Sequence, residues 1–179
     1  MLFRSKVRKM VEKKQVLYDL RTTYSGPFSV EDFYAEVEKW IIEKGFEKEP
    51  KRKMEHVTQN GKKIEWVTEA HHHIDDLHHG IVILRALFDN VKEAVIKKDG
   101  KKMRINTGDA FISIDGFIQS HIHGSFFQIK PIYYFIRALI DKYIYHFWTG
   151  KYDGLVASDC HDLFKRLRSF FNLQKYQYQ

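Results

Sequence analysis

Residues 60–88 read NGKKIEWVTEAHHHIDDLHHGIVILRALF, and the fold turns on how this stretch is parsed. Asn60-Gly61 is a two-residue hairpin signal, because both residue types accept the positive φ that a tight turn between antiparallel strands demands. After it, Lys63 to Asp75 alternates. Ile64, Trp66, Ala70 and Ile74 share one face with His72, while Glu65, Glu69, His71, His73 and Asp75 lie mainly on the other. That period of two is the mark of a half-buried strand. Leu77 to Phe88 is apolar on both faces and reads as a strand through the middle of a sheet. A hairpin turning at Asp75-Asp76 joins the two, which sets His72 across from His79 and His73 across from His78.

Toward the N-terminus, Lys51 to Thr58 supplies the hairpin's first strand, and Gln15 to Tyr24 is a further alternating run closed by Ser25-Gly26-Pro27. Between them lies a helix from Ser29 to Gly45. Ser29 with Asp32 resembles an acidic capping box, Phe28 and Phe33 have the spacing of a hydrophobic staple, and Gly45 suits the C′ position. Its apolar stripe is Phe33, Val37, Trp40 and Ile41. Toward the C-terminus, Asp99-Gly100 and Thr107-Gly108-Asp109 read as two turns, separating strands at Ala94 to Lys97, Lys102 to Ile105 and Ala110 to Ile122.

Two helical patterns fill the rest, from Lys130 to Leu173. Pro131 sits at a first turn, and Ile132, Ile136, Leu139, Ile140, Tyr143 and Phe147 form a broad stripe widened by Phe135, Ile144 and Trp148. Gly150 and Gly154 either reverse the chain or stay helical. A second stripe follows with Val156, Cys160, Leu163, Phe164, Leu167, Phe170 and Phe171. If the glycines stay helical, the aromatic stripe of Phe135, Tyr145 and Trp148 favours a homodimer; if they reverse the chain, the two helices cover each other and a monomer suffices.

The fold class expected is therefore α+β: a curved antiparallel sheet wrapped around a long C-terminal helix, preceded by a short basic N-terminal helix. Met1 to Lys14 is the arm, Gln15 to Leu173 a single domain, and Gln174 to Gln179 a frayed tail.

Composition agrees with a folded globule: 179 residues, 44% hydrophobic and 15% aromatic. The single cysteine, Cys160, excludes an internal disulfide and multi-cysteine zinc sites, and its place in an apolar helical stripe makes it buried filler. No apolar leader precedes a cleavage site, and Arg137, Asp141 and Lys142 interrupt the most apolar window, so a cytoplasmic protein without a transmembrane segment is expected. Of the net charge of +7, five units fall in Met1 to Lys14, where Arg4, Lys6, Arg8, Lys9, Lys13 and Lys14 face Glu12 alone. Such an arm suits RNA phosphates, the ribosome or anionic lipid, or is simply a solvated leader.

This order of elements resembles the helix-grip superfamily, the pollen-allergen-like and START-like ligand-binding folds, over most of Gln15 to Leu173. The usual pair of short helices after the first strand is one helix here. The stretches Val91 to Asp109 (VKEAVIKKDGKKMRINTGD), Ile136 to Trp148 and Leu163 to Leu173 also look like a family of small archaeal proteins of unknown function. The architecture implies a cavity between sheet and terminal helix. Its candidate lining is Trp66, Leu84, Phe88, Phe111, Ile114, Tyr134 and Ile140, around an apolar or amphipathic small molecule.

Two other readings stand beside this one. The first is an RNA- or ribosome-associated accessory protein anchored by the basic arm. The second is a metal-binding protein using His72, His79, His73 and His78 of the hairpin, which with Asp75 and Asp76 offer ligands for zinc, nickel or copper. A pH-responsive or ordinary sheet surface would use the same histidines. His121 and His123 share a face of the last strand, but in a helix-grip sheet that strand pairs with the first, away from the His71 hairpin. No HExxH, nucleophile elbow, phosphate loop or dinucleotide fingerprint is present. The sequence thus points away from catalysis and implies no cofactor.

Overall fold

The computed structural model describes residues 10–59, 61–76, 78–98, 101–122 and 146–178. Its elements run β1 (Met10–Phe28), α1 (Val30–Glu43), β2 (Glu47–Thr58), β3 (Gly61–His73), β4 (His78–Lys98), β5 (Lys101–Ile122) and α2 (His146–Tyr178). The strands form one open antiparallel sheet in the order β1-β5-β4-β3-β2. The chain is α+β, with a five-stranded antiparallel sheet and a C-terminal helix.

Helix α1 forms as its sequence dictates. The Ser29 hydroxyl accepts from the Asp32 amide at 3.1 Å, which satisfies one orphan donor of the first turn. At the other end Gly45 adopts φ 69°, and the amides of Gly45 and Phe46 return to the carbonyls of Ile42 and Ile41, a Schellman closure. Phe46 then packs on Trp40 with ring centroids 5.0 Å apart.

Several expectations about the strands are corrected. Met10–Lys14, read as the end of a basic helix, belong to β1 and pair with residues 118–122 of β5. Cross-strand hydrogen bonding to β5 outweighs the helical tendency of this short basic stretch. Residues 1–9 of the arm lie outside the described residues. Thr107-Gly108-Asp109 is not a turn: β4 and β5 both run on through a bulge at Asn90-Val91. Asn90 takes φ 53° there, and a Cβ on Gly108 would stand 2.7 Å from the Asp89 carbonyl oxygen. The glycine therefore admits a neighbouring strand rather than reversing its own. Likewise the first hairpin closes at the Thr58–Gly61 pair, one residue earlier than an Asn60-Gly61 turn would place it. Pro50 sits in edge strand β2, where a missing amide is tolerated.

Helix α2 lies across one face of the sheet, burying Val156, Cys160, Leu163, Leu167 and Phe171 against Val82, Leu84, Phe88, Ile112 and Ile114. Fully burying such side chains contributes roughly 1.5–3 kcal/mol each. The approach is closest at Gly116, where a Cβ would stand 2.8 Å from Cys160 Sγ, and at Gly80, where one would stand 3.1 Å from Val156 Cγ2. α2 is continuous through Gly150 and Gly154, so of the two geometries open to the sequence the uninterrupted helix is the one adopted. It also continues to Tyr178, where a frayed tail was expected, because Gln174 extends the buried stripe and is itself buried. Residues 130–145, including Phe135 and Tyr145 of the dimer stripe, fall outside the described residues.

α1 docks on α2 through polar contacts. The Trp40 indole donates to Asp162 at 3.0 Å, Arg166 bridges Glu36 and Glu43, and Lys44 reaches Asp159 and Asp162. On the face turned away from α2, the buried Asp115 carboxylate pairs with Arg85 and accepts the Asp19 amide at 2.7 Å, holding the β1 bulge where Asp19 takes φ 54°.

Candidate functional site

One end of the seam between sheet and α2 is aromatic. The end of β1 supplies Tyr24 and Phe28, α1 supplies Phe33 and Tyr34, β3 and β4 supply Trp66 and Phe88, and α2 supplies Phe170 and Phe171. Ring centroids lie 5.2 Å apart for Phe33–Phe88, 5.7 Å for Phe33–Phe171, 4.8 Å for Tyr24–Phe171 and 4.6 Å for Tyr34–Trp66. Edge-to-face and stacked arrangements both occur, as ring quadrupoles favour.

Two polar atoms interrupt this apolar end. Tyr34 Oη and Gln174 Oε1 are out of contact with solvent, and neither has a hydrogen-bond partner among the described residues. Burial, and secondarily the charge of Glu55, pushes the Tyr34 hydroxyl up to about 12, so it stays a neutral donor at ordinary pH. The Lys53 ammonium sits 4.5 Å from the centre of the Tyr34 ring. Leaving a buried polar group unpaired costs about 1–3 kcal/mol, so each such group in a folded protein calls for an explanation. Neither residue emerged from the sequence as a candidate. For Gln174 a signal existed: Cys160, Leu163, Leu167, Phe171 and Gln174 follow one helical stripe, and a lone glutamine on it is an anomaly.

Of the candidate lining residues, Trp66, Leu84, Phe88 and Ile114 are buried on the α2 face of the sheet. Phe111 is not among them: it is 45% exposed, because the pleat that turns Ala110 and Ile112 inward turns Phe111 out. Tyr134 and Ile140 lie outside the described residues.

The hairpin histidines do not converge. The loop between Ile74 and His78 holds three residues rather than two, so His73 pairs with His79 and His72 with Gly80. A one-residue change of register reverses every face. His72 and His78 consequently lie on the α2 side, and His73 and His79 on the other. His72 packs on Phe46 at 4.9 Å, while His78 stacks on Tyr152 at 4.9 Å and its Nδ1 lies 2.9 Å from Asp75, to which the Tyr152 hydroxyl also donates. The rings of His73 and His79 meet at 4.1 Å. β5 lies between β1 and β4, so its end is beside the hairpin after all: Ser120 pairs with His78, next to His121. His123 is outside the described residues.

Of the basic residues proposed for phosphate contact, Lys14 pairs with Asp153 of α2 at 2.6 Å and Lys13 lies over the Phe117 ring at 4.4 Å. Arg4, Lys6, Arg8 and Lys9 lie outside the described residues. Cys160 is buried against Gly116, with its thiol pushed up to about 12 by burial and then by the nearby Asp159 and Asp115 charges, and it is no nucleophile. No helix of the described residues is long and apolar enough to cross a membrane. Comparison with protein-family models, with curated proteins and with solved structures finds no match to this chain.

Proposed function

We propose that this protein is a non-catalytic carrier that holds an apolar or amphipathic small molecule at the aromatic end of the seam, in the manner of a helix-grip fold. The observation that carries the reading is that Tyr34 Oη, on a ring packed against Phe33 and Trp66, and Gln174 Oε1, one helical turn beyond Phe171, are both buried without a hydrogen-bond partner among the described residues. Ligand pockets combine apolar and aromatic walls with a few polar groups that fix orientation. Tyr34 offers a donor and Gln174 an acceptor, so a ligand with an aromatic or aliphatic body and a hydroxyl or amide head suits either group.

Native mass spectrometry of the full chain, purified without denaturant, tests the reading together with a titration by anilinonaphthalene sulfonate followed through the probe's own emission. A bound species or saturable probe binding is expected. Tyr34→Phe and Gln174→Met should each weaken binding about fivefold, the equivalent of one hydrogen bond of about 1 kcal/mol. Both variants should be as stable as the wild type or more so, since each removes an unpaired buried atom. A wild-type chain that carries nothing and does not bind the probe saturably would sink the carrier reading.

A further inference from the structure

Glu49 of β2 and Glu69 of β3 are directly opposed across the strands, on the face turned away from α2. Like charges in that position repel, and two basic groups gather on them. His71 Nε2 lies 3.1 Å from Glu49 Oε2 and 3.3 Å from Glu69 Oε2. Lys51 Nζ lies 2.6 Å from Glu49 Oε1 and 3.4 Å from Glu69 Oε2. A register shift between Pro50 and Arg52 leaves Lys51 as the extra residue of a bulge beside these carboxylates.

The imidazole is held oddly for an ordinary ion pair. Its Nε2 is out of contact with solvent, yet neither glutamate oxygen meets it with hydrogen-bond geometry. All three potential ligand atoms fall within 4.8 Å of one another. The two nitrogen–oxygen separations match the edges of a tetrahedron: bonds of about 2.0–2.1 Å at the tetrahedral angle put neighbouring ligand atoms about 3.3 Å apart.

From this geometry we infer that Glu49, Glu69 and His71 form a site for a zinc-class divalent cation, with Lys51 as the cation that the metal displaces. One imidazole and two carboxylates are a donor set that zinc accepts, and three protein ligands leave a position open to water or a substrate atom. Calcium, which takes six to eight oxygens, fits it poorly. Lys51 is held only by its ammonium at the end of a flexible stem, with its side chain 38% exposed, so it can leave without disturbing the sheet. The bound ion would tie the outermost strand, β2, to β3. This site is separate from the seam: it lies on the opposite face and uses none of the seam's residues.

Calorimetric titration of the chelator-treated, dialysed full chain with Zn²⁺ tests the inference, with Co²⁺ absorption reporting tetrahedral coordination. One ion per chain is expected. His71→Ala and Glu69→Gln should each weaken binding about 100-fold, at the upper end of what even the supporting residues of metal sites cost when removed. Lys51→Met should tighten it. Glu49→Gln, on the exposed edge strand, serves if either of the first two fails to fold by circular dichroism. A His73→Ala/His79→Ala variant should bind Zn²⁺ as the wild type does. Absence of saturable Zn²⁺ binding overturns the site, as does binding that survives the loss of His71 or Glu49 and disappears with His73 and His79.

Discussion

Gly116→Ala is the substitution that most directly probes how α2 is seated. The new methyl would stand 2.8 Å from Cys160 Sγ, 3.1 Å from Val156 Cγ1 and 3.4 Å from Leu17 Cβ. Carbon and sulfur partners of this kind rest at about 3.5–4.0 Å, so the closest contact falls short by roughly 1 Å. Cys160 is fully buried in the core cluster, where close packing leaves little room to give way. Overpacking of this sort costs about 1–3 kcal/mol, offset in part by the roughly 0.5–1 kcal/mol that alanine gains over glycine in a strand. A net loss of about 1–2 kcal/mol is expected, which for a chain of this length lowers Tm by roughly 2–8 °C. Urea denaturation followed by tryptophan fluorescence measures it. A double-mutant cycle with Cys160→Ala isolates the contact, because removing Sγ should recover about 1 kcal/mol of the loss. A Gly116→Ala protein as stable as the wild type, or strict additivity in the cycle, would refute the backbone-close seating of the helix.

Other expectations follow from the same packing. Gly154 has open space where its Cβ would stand and lies within α2, so Gly154→Ala should stabilise the protein by about 0.5–1 kcal/mol in the same denaturation assay. Cys160, buried and held neutral, should resist iodoacetamide at pH 8 in the native protein and react at once in urea, as read by mass spectrometry. Asp162 is held below the usual carboxylate range chiefly by the Trp40 indole hydrogen bond, and Glu43 chiefly by that of Arg166. Folded values depressed in this way contribute stability that is present above the unfolded carboxyl range, about pH 4, and lost as pH falls through the folded values. Denaturation midpoints should therefore drop below about pH 4, and Asp162→Asn should flatten that drop.

Much of the fold was legible because its signals are local. The Ser29 cap, the Gly45 closure and the alternation of Ile64, Trp66 and Ala70 each declare themselves within a few residues. What escaped was set by partners far along the chain. Gly108 looks like a turn residue until Asp89 is placed beside it, and Met10–Lys14 look helical until β5 offers them hydrogen bonds. Register was the other blind spot: one extra residue between Ile74 and His78 divided a single-looking histidine cluster between two faces. The Glu49, Glu69 and His71 grouping was hidden for the same reason, since it depends on the pairing of two strands. Tyr34 carried no signal, because a polar atom's lack of a partner can be seen only in three dimensions, whereas Gln174 stood out in the sequence as the one polar residue on its helical stripe.

The strand order β1-β5-β4-β3-β2 also fixes a sequence of events. From β2 to β5 each strand pairs with the next one made, so this meander assembles from short-range hairpins as the chain emerges. β1 is made before any of them, yet among the described residues its only strand partner is β5. Until Asn106 and the residues after it have been synthesised, β1 lacks the β5 residues that it pairs with. The meander, once formed, exposes β5 as a long open flank until β1 returns. Completion of the sheet by its oldest strand, together with the seating of α2 that Lys14 and Asp153 help to pin, is thus a late, long-range step in the birth of this molecule. Substitutions in β1 should therefore act on yield and aggregation more strongly than on the stability of the finished protein.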